Sequence, residues 1–136
     1  MAYNGYLLKV NGTQLPNKYI QLSTYAITPN QRMESSAERD TTGVLHRTTC
    51  EHTATKIEFQ TPYLKGSDIE ALNKLLALAD NLSRDVSIEY FDPETQMYKT
   101  ADCYVPDIQY TIYNEIDVPG DKDLLFMPTR YAFIEY

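Results

Sequence analysis

Along most of this chain apolar and polar side chains alternate with a period of two, the signature of a strand with one buried face. In residues 53–60, Thr55, Ile57 and Phe59 share one parity while Lys56, Glu58 and Gln60 share the other. Val86, Ile88 and Tyr90 alternate in the same way with Ser87 and Glu89. The Asp92-Pro93-Glu94-Thr95 turn follows, with Pro at its favoured second position, so residues 86–105 are expected to form a hairpin. Residues 5–10 followed by Asn11-Gly12 predict another, because that dipeptide accepts the positive φ angles of a tight turn. Further strands are expected over 19–28, 44–49, 108–112 and 124–136, the first without clean alternation, as a bulge would give.

Residues 67–82 break this rhythm. Ile69, Leu72, Leu75, Leu76, Ala79 and Leu82 recur at steps of three and four, which makes one apolar stripe along a helix. Ser67 and Glu70 have the spacing of a capping box, and Asp68 adds negative charge where the helix dipole favours it. A rod of roughly 24 Å cannot bury its own leucines, so it needs a sheet to lie on. One helix among about eight strands predicts a single mainly β domain over residues 1–136. The expected architecture is a β-sandwich or partly closed barrel with the helix packed on it.

Residues 29–43 fit neither pattern. Met33 and Ala37 are their only hydrophobic side chains among charges and hydroxyls, and Gly43 closes the stretch. A polar loop of this length is expected to be either a solvated tip or an arm that orders against a partner.

Composition sharpens the reading of the strands. The chain has twelve Tyr, four Phe and no Trp. Tyr suits half-buried sheet surfaces and interfaces, because its ring is apolar and its hydroxyl tolerates water. A net charge of −7 argues against a general electrostatic grip on nucleic acid. No apolar run approaches the roughly 20 residues of a membrane-spanning helix, and residues 1–12 lack the pattern of a signal peptide. The expectation is a protein made in the cytoplasm, with Cys50 and Cys103 as reduced thiols.

Candidate chemistry is sparse. His46, Cys50 and His52 have one parity, with Cys103 elsewhere, but their spacing matches no zinc motif and strand neighbours two apart do not converge on one ion. No nucleophile elbow occurs, and Asp117, Asp121 and Asp123 miss the spacing of a calcium loop. Neither an enzyme nor a resident metal or cofactor is therefore expected. Tyrosine-rich strands and a polar arm point instead to a protein that assembles. The alternative is a monomer whose sheet edges are guarded by Pro16, Pro106 and Pro128.

The segments MAYNGYLLKVNG, PNKYI, TPNQR, RDTTGVLHR, HTATKIEFQTP, YFDPETQMYKTADCYVPDIQY and PTRYAFIEY span essentially the whole chain. Together they resemble a family of small phage and prophage proteins encoded among the tail genes of tailed phages that infect Gram-positive bacteria. The order of strands, one helix and a D-P-E-T hairpin also resembles the tail-tube fold of tube, distal-tail and baseplate-hub proteins. The resemblance implies a virion structural protein of the tail, made in the host bacterial cytoplasm and working as a ring, usually a hexamer, beside other tail proteins. An acidic balance would let DNA pass without sticking. The polar arm would then be an inter-subunit contact, with Arg32, Arg39, Asp40 and Arg47 as candidate ion-pair residues from composition and position. The alternative function is a non-catalytic tail-assembly factor or a receptor- or carbohydrate-binding module.

Overall fold

The computed structural model describes residues 3–79 and 81–136, with side chains throughout except at 32–37 and 46–52. The chain is mainly β with one α-helix, as the alternation predicted. Its strands are β1 (Leu8–Val10), β2 (Thr13–Gln14), β3 (Ala26–Arg39), β4 (Leu45–Gln60) and β5 (Leu64–Lys65). The helix α1 (Gly66–Leu75) follows, and then β6 (Asp85–Asp92), β7 (Met97–Tyr104), β8 (Ile112–Val118), β9 (Asp121–Phe126) and β10 (Arg130–Glu135). Seven strands form one antiparallel sheet in the order β2-β1-β6-β7-β10-β4-β3, and β5-β9-β8 form a smaller one. The arrangement is open and sandwich-like; it does not close into a barrel.

The large sheet buries the parity read from the sequence. Thr55, Ile57 and Phe59 of β4 point inward, as do Val86, Ile88 and Tyr90 of β6, and Tyr131 and Phe133 join them from β10. Phe59 stacks on Tyr131 at 5.7 Å and on Phe133 at 6.3 Å between ring centroids. From the other side Ile69, Leu72 and Leu76 complete one contiguous core. Fully burying side chains of this size contributes about 1.5–3 kcal/mol each. The Asn11-Gly12 turn is tight, with φ of 50° and 84°, and it sets Val10 opposite Thr13.

The helix begins where the sequence placed it but is capped differently and stops early. No side chain of its own caps it; Asp123 of β9 accepts the Ser67 backbone N–H at 3.2 Å instead of a Ser67–Glu70 box. Asp123 Oδ1 also lies 2.5 Å from where a Cβ on Gly66 would sit, so a larger residue there would displace the cap. At the far end Ala77 N–H donates to Lys74 C=O and Leu78 N–H to Asn73 C=O, the double bond of a Schellman motif. That motif requires a left-handed residue, and Ala77 adopts it with φ 54°. The expected stripe beyond the turn therefore dissolves: Leu78 is buried, whereas Ala79 is exposed and Leu82 is fully so. Because left-handed Ala carries about 1–2 kcal/mol of strain that Gly lacks, Ala77→Gly is expected to raise stability by about 0.5–1 kcal/mol in urea unfolding.

Other sequence expectations also need correction. Residues 19–28 are not one strand: single turns of 3-10 helix occupy Asn17–Tyr19 and Leu22–Thr24, and β3 starts only at Ala26. Residues 29–43 are a loop only at the 40–43 tip, since β3 runs through the rest to Arg39. The strand expected at 108–112 begins at Ile112 and continues to Val118, and the turn-rich stretch 117–123 is the hairpin joining β8 to β9. The strand expected over 124–136 is divided between β9 and β10.

The 93–96 turn is held by a buried carboxylate. Asp92 accepts the Glu94 N–H at 3.0 Å and the Thr95 hydroxyl at 3.0 Å, and Lys99 Nζ lies 2.8 Å from it. Burial alone would raise the Asp92 pKa, but the Lys99 ammonium and these hydrogen bonds outweigh it and hold the carboxyl below its ordinary value. A lowered folded pKa gives stability that is present above the unfolded value of about 3.9 and lost as pH falls through the folded one. Asp92→Asn is expected to cost about 2 kcal/mol at pH 7 and to flatten the acid limb of a urea stability–pH profile. The limb will not vanish, because Glu58 and Asp123 are also held low, by Arg130 and by the Leu124 N–H respectively.

Candidate functional site

Two surfaces stand apart from the core. The first is the outer part of the β3–β4 hairpin. β10 pairs with β4 only from Arg130–Gln60 to Ile134–Lys56. Beyond that point β4 keeps β3 as its partner, from Gln31–Ala54 out to Arg39–Leu45. Nine residues of strand make a two-stranded ribbon roughly 30 Å long. The handover at its base is made by side chains: Glu135 Oε1 accepts the Thr55 N–H at 2.9 Å, where a neighbouring strand would have done so. The buried Thr55 hydroxyl accepts the Asn30 N–H at 3.1 Å, and Asn30 is left-handed with φ 51°. Register shifts interrupt the ribbon between Thr28 and Gln31, Arg32 and Glu34, and Glu34 and Ser36.

The ribbon explains why alternation failed over 29–43. A two-stranded ribbon has no third layer to bury either face, so its strands need no apolar parity. Such a ribbon is marginal by itself in water and gains most from a surface to lie against.

Two of the four candidate ion-pair residues sit together at its tip. Asp40 Oδ1 accepts the Thr42 N–H at 2.9 Å, the Thr42 hydroxyl at 2.6 Å and the Val44 N–H at 3.0 Å. Arg39 donates to the Gly43 carbonyl at 2.9 Å, and Gly43 supplies the φ of 86° that closes the turn. Arg39 and Asp40 are thus builders of the tip. Arg32 pairs with Thr53 near the base and Arg47 with Ala37 further out; their side chains lie outside the described residues.

The second surface is the small sheet. Tyr63, Ile112, Tyr113, Val118, Leu124 and Met127 are all exposed on or beside it. Tyr63 and Tyr113 make an edge-to-face pair at 5.1 Å, so two large rings stand together in water. β8 is its outer strand, with Glu115 and Asp117 among the apolar residues. Exposed apolar concentrations of this kind mark interaction sites more often than scattered single residues do.

The metal expectation finds nothing further. The side chains of His46, Cys50 and His52 lie outside the described residues, and the β3–β4 register slips between Thr49 and Thr53. Among the described residues no group of three or more His, Cys, Asp or Glu is placed to hold an ion. Cys103 is a buried thiol whose pKa burial pushes up to about 12, with the Glu135 and Asp102 charges adding to it. It is kept protonated and inert. No helix among the described residues is long and apolar enough to cross a membrane.

No pattern in the sequence signals the small sheet's patch directly. Ile112 and Leu124 fall within expected strands and Val118 within the stretch around Pro119-Gly120 that reads as a turn, and only the pairing of β8 with β9, away from the large sheet, leaves them outside.

Comparison with known proteins places the chain in a family. A family model described as a family of unknown function, DUF6711, matches residues 1–136, and the chain belongs to that family. No curated protein and no solved structure matches it.

Proposed function

We propose that this member of DUF6711 is a non-enzymatic structural protein of a phage tail, of the distal tail, tube or baseplate, which self-associates into a ring. The observation that carries the reading is the two-stranded ribbon beyond Lys56 and Thr28, which pairs with no third strand among the described residues. The exposed rings and aliphatic side chains of the small sheet supply a second contact area. Two distinct surfaces on one subunit are what a head-to-tail ring requires, since each copy must offer a different face to each neighbour. The resemblance of the segments named above to tail-gene proteins supplies the setting, a virion in place of a free cytoplasmic complex, with other tail proteins as further partners. Six subunits is the ring size that the resemblance favours. Detection of the chain in purified particles by mass spectrometry, together with the mass of the purified protein in solution, tests both halves. A strict monomer absent from particles would overturn the reading.

A further inference from the structure

A polar groove runs along one side of the molecule where the large sheet comes apart. β7 and β10 pair only at Glu135–Cys103 and Ile134–Tyr104. Two residues further on the chain reaches Pro106, which has no N–H to continue the ladder. No main-chain hydrogen bond to another main-chain group is made by residues 106–110 among the described residues, until the Met127 N–H meets the Thr111 carbonyl at 2.9 Å. The two segments thus part and rejoin. Ile108 packs inward on the core and the Tyr110 hydroxyl accepts from Asn73 of α1 at 3.0 Å, while the alternate residues Asp107, Gln109 and Thr111 line a cleft of about 380 Å³ opposite Arg130.

This cleft is the middle of three. Asp107 is shared with a cleft of about 430 Å³ lined also by Leu78, Asn81, Leu82 and Arg84. Arg130 is shared with one of about 190 Å³ beside Glu58 and Gln60. Beside Leu78 and Leu82 the lining offers hydrogen-bond donors and acceptors together: carboxamides, the hydroxyls of Thr24 and Thr111, carboxylates and guanidinium groups. Its charges balance, with Asp107 and Glu58 against Arg84 and Arg130, and Arg130 already bonded to Glu58 through Nε at 3.0 Å. One donor is unspent, since Nη1 of Arg84 is buried without a hydrogen-bond partner.

We infer that this groove binds a neutral linear oligosaccharide, with about one sugar unit in each compartment. A polyanion would meet Asp107 and Glu58, and a polycation would meet both arginines. A chain of uncharged rings bearing hydroxyls fits the length, the balance of charge and the mixture of donors and acceptors. No described residue of the ribbon lines the groove, which borders the small-sheet patch at Thr111–Ile112 and Met127–Pro128, and the inference does not rest on ring formation.

Saturation-transfer NMR of the full chain with maltotriose, cellotriose and chitotriose tests it, because the readout is on the sugar and tolerates any assembly size. At least one trisaccharide is expected to bind saturably with a Kd of about 1–10 mM, weak because no exposed ring floors the groove for stacking. Gln109→Ala, in an exposed position, should weaken that binding about fivefold, the value of one hydrogen bond, whereas Tyr113→Ala should leave it unchanged. Absence of saturable transfer from all three sugars at about 50 mM would overturn the inference. So would binding that Tyr113→Ala abolishes and Gln109→Ala does not, or a preference for sialyllactose, an anionic sugar, over the neutral three.

Discussion

Leu72→Asp is expected to leave no cooperatively folded subunit at 25 °C. Leu72 is fully buried in the middle of α1, within the cluster that joins the helix to both the β6 and β10 side chains. Removing a buried Leu alone costs about 2–5 kcal/mol. Placing a carboxylate there adds the cost of an unpaired buried charge, unless the group takes up a proton. The sum is comparable with the whole stability of an ordinary domain, about 5–15 kcal/mol. Loss of the near-ultraviolet tyrosine signal and of a sharp urea transition is the expected outcome. Leu82→Asp is the control, since Leu82 lies on the same sequence stripe but is fully exposed. It should unfold with the parent midpoint. If both variants fold, the helix is not the core element that its burial indicates.

Removal of the ribbon is expected to have the opposite pattern: an intact fold and no assembly. Gln31 and Ala54 are register partners, so their ends lie one strand spacing apart and a two-residue Asn-Gly link can close them. No residue from 32 to 53 belongs to the hydrophobic core among the described residues. The shortened chain should therefore melt within about 5 °C of the parent, a shift equivalent to roughly 1 kcal/mol. Its oligomers should disappear, because one of the two faces needed for a head-to-tail contact is gone. An unfolded product would show that the ribbon supports the sheet. A product that still assembles would move the contact elsewhere on the subunit.

The contrast between these two regions also marks what could be read from sequence. Strands that bury one face announce themselves: the parity of Thr55, Ile57 and Phe59 and of Val86, Ile88 and Tyr90 is the parity of the core. The Asn11-Gly12 and Asp92–Thr95 turns were legible because their chemistry is local. β3 is not, because residues 29–39 are almost all polar and carry no apolar periodicity to find. The end of α1 was hidden for another reason. Its left-handed stop is an alanine, where the sequence signal would be glycine, so the leucine spacing ran on past the real terminus.

The candidate site divides in the same way. Arg39 and Asp40 were singled out for charge, and the structure puts them together at a turn that they hold closed. The Tyr63–Tyr113 pair joins residues fifty positions apart, so no local pattern could have foretold it. The groove is intermediate. Pro106 and the alternation of Ile108, Tyr110 and Ile112 were visible, but that Asp107, Gln109 and Thr111 face Arg130 depends on β10.

A closed assembly built through the ribbon is what we propose above all. Negative-stain electron microscopy of the purified full chain beside the ribbon-shortened chain tests it most directly. Closed rings of uniform diameter are expected for the full chain and isolated subunits for the shortened one. Isolated subunits in both, or rings in both, would contradict it.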